Sequence, residues 1–225
     1  MFGLGAVSTI VALCFAVVVN TMPSSDATIG SVGLAAQAFP PIPDFSAASW
    51  IWTSTNGLTG VPPGASAFRL TVPVDTAFNT FGPSANISVA ISADDAYNLY
   101  LNGKLFGSRR DFLQSNIWTI NNVPTTQPWV FAILATNYAG ALNSPTANPA
   151  GIIASFVASS SSTQKAEFWS TGPAPNPQWK GANLAPNHFY STTMDDSDWP
   201  AAVVLTPFGD APWGRPVPVP ASLCV

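Results

Sequence analysis

Charge is what this sequence has least of. Charged residues make up 8% of its 225 positions, against about 25% in an average soluble protein. Glutamate occurs once, at Glu167, and histidine once, at His188. The seven basic residues are scattered, and Arg109-Arg110 is their only adjacent pair. A surface that reads phosphates needs a Lys/Arg cluster, so the sequence argues against nucleic acid and anionic membrane as partners. There are two cysteines, Cys14 and Cys224. Removal of a leader containing Cys14 would leave Cys224 without an intrachain partner, so the fold is expected to stand on its core. No phosphate loop, no Gly-x-Ser-x-Gly elbow and no metal-ligand spacing around His188 is present, so no cofactor and no metal is expected. Long helices are excluded outside the leader, because 22 prolines and 16 glycines break the chain at short intervals.

What is there is apolar, aromatic and amide-rich. Net charge is −4, and there are eight tryptophans. A weakly charged, aromatic-rich surface suits a neutral partner such as a glycan. Phe2 to Val19 is apolar or small at nearly every position, which reads as a secretory leader. Its length reaches the lower edge for a membrane span, so a membrane contact is expected only if the leader is uncleaved. Residues 1–38 are assigned to signal peptide and linker, 39–215 to one folded domain, and 216–225 to a Pro-rich, PPII-like tail. The sequon Asn86-Ile87-Ser88 agrees with a secreted, extracellular location.

Within the domain the period is two. Phe68, Leu70 and Val72 alternate with Arg69 and Thr71, and Ile87, Val89 and Ile91 alternate with Ser88 and Ala90. Pro73 cannot donate to a ladder, so that end of its strand should lie at an edge. Trp129–Ala135 and Gly151–Ala158 are nearly continuous apolar runs, as in strands covered on both faces. Tyr97, Leu99 and Leu101 alternate with Asn98, Tyr100 and Asn102, and Asn102-Gly103 is suited to a type I′ hairpin turn. Eight to ten short strands with no helix predict an all-β, antiparallel two-sheet sandwich of jelly-roll type.

Several of these stretches resemble one family. Ala48-Ser49-Trp50-Ile51-Trp52, Phe68-Arg69-Leu70, the hairpin Ala93–Gly107, the turn Asp195-Asp196-Ser197-Asp198-Trp199 and Pro212-Trp213-Gly214 resemble, in order, motifs of galactose-binding-domain-like jelly rolls. Such modules accompany α-L-rhamnosidases and β-galactosidases and have secreted, fungal-type stand-alone forms. The resemblance implies fold more strongly than function. In that family the hairpin and the closing turn are mainly structural, and ligands are bound by loops that vary between members. A module without a catalytic domain after it is the expectation from this sequence.

Candidate sites were weighed on chemistry. Asp94-Asp95 and Asp195-Asp196-Ser197-Asp198 read first as turn caps. Adjacent strand residues face opposite ways, so neither pair is preassembled as the acid and base of a glycosidase. As cation ligands, residues 195–198 lack the glycine and distal Glu of an EF-hand loop. Saccharides need an aromatic face plus amides or carboxylates for their hydroxyls. Trp179, with Asn176 and Asn183 nearby, is one expected platform, and Tyr138, with Asn137 and Asn143, is another. Arg109, Arg110 and Asp111, just past the hairpin, complete the expected ligand set. The function expected is non-catalytic, lectin-like binding of a neutral glycan. The alternatives are a small glycoside hydrolase or lyase using Asp carboxylates, and a structural cell-surface or wall protein.

Overall fold

The computed structural model describes residues 41–73, 81–139 and 146–220. The expected leader and both cysteines lie outside them, as do Asn143 and the start of the 39–215 domain. The sandwich belongs to the unit Gln37–Val225. Among the described residues no helix is long and apolar enough to cross a membrane.

Among the described residues twelve strands form: β1 Ser49–Trp52, β2 Gly64–Val72, β3 Ser84–Asp94, β4 Ala96–Leu101, β5 Lys104–Arg110, β6 Gln114–Pro124, β7 Trp129–Asn137, β8 Gly151–Ser160, β9 Lys165–Ser170, β10 Lys180–Asn183, β11 Val203–Pro207 and β12 Val217–Pro220. A 3-10 turn, Thr55–Leu58, follows β1. The larger sheet runs β11-β1-β8-β3-β6-β12, with β9 also paired to β8, and the smaller runs β10-β2-β7-β4-β5. All pairings are antiparallel except β12 with β6. The chain is the expected two-sheet sandwich.

The inward faces carry the core. Phe131 of β7 meets Phe156 of β8 at 4.8 Å between ring centroids, and Ile87, Val89, Ile91, Leu99 and Ile133 fill the same layer. Each fully buried aliphatic side chain contributes about 1.5–3 kcal/mol. Strands β7 and β8 are covered on both faces, as their apolar runs predict. Tyr97 donates its hydroxyl to Asn116 Oδ1 at 3.0 Å and accepts from Trp118 Nε1 at 2.9 Å, tying β4 to β6 between the sheets.

The hairpin β4–β5 closes as its sequence dictates. Asn102 and Gly103 have φ of 47° and 84°, the left-handed region that a type I′ turn requires. Asn102 Oδ1 also accepts from Val130 N at 2.8 Å, fixing the turn to β7. Pro73 falls just past β2, whose pairing with β10 reaches only from Ser66 to Arg69. The expected open end of β2 is therefore present.

Two readings change. The tail is not a free PPII segment over its whole length, because Val217–Pro220 pairs in parallel with Gln114–Ile117 of β6. Proline is tolerated there since an edge strand needs donors on one side only, and Val217 and Val219 keep theirs. Asp94 is the last residue of β3 and is buried, rather than an exposed turn cap. Asp95 alone links β3 in the larger sheet to β4 in the smaller, and its N–H donates to Thr136 O at 3.0 Å.

A candidate saccharide-binding concavity at the sheet corner

Asp95 brings the start of β4 to the rim of the sandwich. Ala96 there stands opposite Arg110 of β5 and Thr136 of β7, and Asn98 stands opposite Ser108. Directly paired residues share a face, so Arg110, Thr136, Asn98 and Ser108 face outward together, and Tyr138 follows two residues beyond Thr136. These side chains line an open concavity of about 450 Å³. Farther along the same outer face, Phe189, Tyr190 and Trp199 cover the sheet, with Tyr100 stacked on Tyr190 at 4.8 Å. The concavity opens where that cover stops.

At its rim a cation meets an aromatic ring. The Arg110 guanidinium lies 4.1 Å from the centroid of the Tyr138 ring. Tyr138 is in turn held by its backbone: its N–H donates to Asp95 Oδ2 at 2.7 Å, and its carbonyl accepts from Asn148 Nδ2 at 2.9 Å. The ring remains 37% exposed. An aromatic face beside a guanidinium, an amide and two hydroxyls is a set that recognises a sugar ring and its hydroxyls.

Of the six expected ligand residues, Arg109, Arg110 and Tyr138 come together here. Strand alternation places Arg109 on the opposite face of β5 from Arg110, so it flanks the concavity at the sheet edge. Asp111 stands past the strand, where its Oδ1 accepts from Leu113 N at 2.8 Å. It caps the β5–β6 turn.

Trp179 is a correction. It is 3% exposed and packs in the main core, with its ring 5.5 Å from that of Phe156. A Pro/Asn-rich neighbourhood suggested a loop platform, but the strand β10 that begins at Lys180 pulls its indole inward. Asn137 is a second correction. It is 1% exposed, and its Nδ2 donates to Val61 O at 2.8 Å, fastening the approach to β2. Asn98, Ser108 and Thr136 were missed. The alternation of the hairpin already assigned Asn98 to the wet face, and the turn register then fixes Ser108 as its partner.

The paired acids have separate duties. Asp94 Oδ2 accepts from Trp213 Nε1 at 2.7 Å, and Trp213 stacks on Trp50 at 4.5 Å. Burial pushes the Asp94 carboxyl up to about 7, and the neighbouring Asp95 charge adds to this while the Trp213 hydrogen bond opposes it. In the closing turn Asp195 Oδ1 accepts from Ser197 N at 2.9 Å, which holds that carboxyl below the usual range. Burial would raise the Asp196 carboxyl, yet hydrogen bonds from Arg69 and Lys180 outweigh it and hold Asp196 low. Asp195 therefore caps the turn, as expected, whereas Asp196 clamps Arg69 and Lys180, which the sequence did not indicate.

No known family profile matches the chain. It is 27% identical over 188 residues to an α-L-rhamnosidase of Streptomyces avermitilis, covering 80% of this chain and 16% of that protein. The apo Pleurotus ostreatus lectin superposes with a TM-score of 0.65 at 32% identity, over 80% of this chain and 49% of the lectin chain. A lectin from Pleurotus ostreatus solved in complex with GalNAc gives 0.65 at 26% identity, over 78% and 48%. The crystal structure of the S. avermitilis α-L-rhamnosidase complexed with L-rhamnose gives 0.60 at 25% identity, over 79% and 16%. The chain thus spans about half the length of the lectin chains and a small part of the rhamnosidase. Over about 80% of its length it is similar to these proteins, in keeping with the galactose-binding-domain-like jelly roll that its motifs resemble.

Proposed function

We propose that this protein is a secreted, non-catalytic lectin that binds a saccharide in the corner concavity. The observation that carries the reading is the exposed Tyr138 ring stacked with Arg110 beside Asn98, Ser108 and Thr136, a polar set with one aromatic face. Tyr138 takes the apolar face of the sugar ring, and the amide, hydroxyl and guanidinium groups take its hydroxyls. The lectin likeness supports this reading, and GalNAc, held by the solved Pleurotus lectin, is the natural first probe. Secretion is supported by the apolar stretch Phe2–Val19 and the sequon at Asn86.

A hydrolytic reading has one observation in its favour, the Asp94 carboxyl raised to about 7. Its position speaks against it. Asp94 is 7% exposed and engaged by Trp213, whereas a glycosidase needs two carboxyls facing each other across a bond at roughly 5–9.5 Å. An array of glycans probed with the secreted protein, together with an aryl α-L-rhamnoside turnover assay, separates the two readings. Array binding without turnover is expected. Turnover abolished by Asp94→Asn would establish the enzyme instead.

A further inference from the structure

The seven basic residues do not share one fate. Arg69 and Lys180 are both neutralised by Asp196, at 2.8 and 3.0 Å. Arg215 lies over Phe208 at 5.7 Å from the ring centroid. Lys104 sits at the hairpin turn and Lys165 at the start of β9. Arg109 and Arg110 both line the corner concavity, and among the described residues neither has a carboxylate within ion-pair distance. The nearby acids, Asp95 and Asp111, keep their charge but are oriented toward backbone donors, Asp95 accepting from Tyr138 N and Asp111 from Leu113 N.

We propose that the saccharide taken by this concavity carries an anionic substituent, a carboxylate or a sulfate ester, received by Arg110. The inference rests on the lectin reading above and narrows its ligand class. Contact with the Tyr138 ring holds the guanidinium carbon 4.1 Å from the ring centroid and restrains the side chain, while its N–H donors have no carboxylate partner among the described residues. That planar fork matches two oxygens of a carboxylate or sulfate, and pre-orientation lowers the entropy lost on binding. A neutral sugar would satisfy Asn98, Ser108 and Thr136 but would leave this fork facing only hydroxyls. Arg109 at the adjacent edge adds a second positive charge to the local field. The chain as a whole is acidic, at −4, so attraction for an anion must come from this local pair.

The test is calorimetric titration of the full secreted protein with galacturonic acid, galactose 6-sulfate, galactose and GalNAc, with sodium sulfate alone as the free-anion arm. At least one acidic sugar is expected to bind about tenfold or more tighter than galactose, the preference shrinking as salt rises. Which acidic sugar wins distinguishes carboxylate from sulfate. Arg110→Gln should bring the acidic-to-neutral ratio to about one, with unchanged melting since Arg110 is exposed, while Arg110→Lys should recover it only in part because an ammonium lacks the fork. Neutral sugars bound as tightly as acidic ones by the unaltered protein would overturn the proposal and leave the lectin reading standing. Free sulfate bound as tightly as the sulfated sugar would also overturn it. No saccharide binding in any arm would overturn both.

Discussion

Arg69 on β2 and Asp196 in the closing turn, 127 residues apart, meet at 2.8 Å. Arg69 is 2% exposed, and its remaining donors go to the carbonyls of Phe189, Ser191 and Met194. One buried guanidinium thus ties the whole 189–196 segment to the smaller sheet. That segment covers the part of the outer face adjoining the concavity, so the clamp helps to set where the concavity begins.

Asp196→Ala is expected to destabilise the domain by about 3–5 kcal/mol, because it leaves a buried cation without its carboxylate. Urea denaturation measures this. Asp196 is held below its ordinary range in the folded state. Its contribution is therefore present above the unfolded carboxyl value and lost as pH falls through the folded one. Acid unfolding below about pH 4 should be shallower in the variant.

Asp94 has the opposite sign. Its carboxyl is raised from 3.8 to about 7, so between those values the folded state holds a proton that the unfolded state has lost. Stability from this group therefore falls as pH rises from 3.8 to about 7. Asp94→Asn keeps an acceptor for Trp213 Nε1 and removes the titration. The variant should match the parent in stability near pH 4 and exceed it at pH 8, by on the order of a few kcal/mol, with Tm moving in the same direction. A Tm gap independent of pH would refute the assignment.

Gly107 on β5 is required by a neighbour. A Cβ there would lie 2.6 Å from Trp118 Cε2. Gly107→Ala should cost about 1–3 kcal/mol by overpacking and displace the indole from its bond to Tyr97. Thermal melting and Trp118 fluorescence report both effects. Trp118→Phe, which shortens the ring, should relieve part of the cost.

Much of the frame was legible because its rules are local. Alternation over Tyr97–Leu101 and the Asn102-Gly103 pair specify a hairpin without reference to the rest of the chain. The pairs that lock the frame are not local. Trp213 finds Asp94 across 119 residues, and sequence spacing carries no trace of that distance. Burial of loop residues was equally hidden. Trp179 looked exposed from its Pro/Asn-rich surroundings, yet an indole beside a short strand gains more from the core than from water. The concavity was half legible for the same reason. Arg109 and Arg110 follow directly from the hairpin, whereas the arrival of Tyr138 depends on the pairing of β4 with β7.

The most direct measurement of the central claim is titration of GalNAc and an acidic galactose derivative into the parent protein, Tyr138→Ala and Trp179→Phe. Tyr138 is exposed, so its loss should leave the melting temperature within about 2 °C, in line with the small effects of surface substitutions. Sugar affinity should fall at least about tenfold in that variant, as expected for loss of a stacking face. Trp179→Phe should lower stability and leave affinity unchanged, since its ring lies in the core. Undiminished binding by Tyr138→Ala, or binding lost in a folded Trp179→Phe, would contradict the corner concavity as the site.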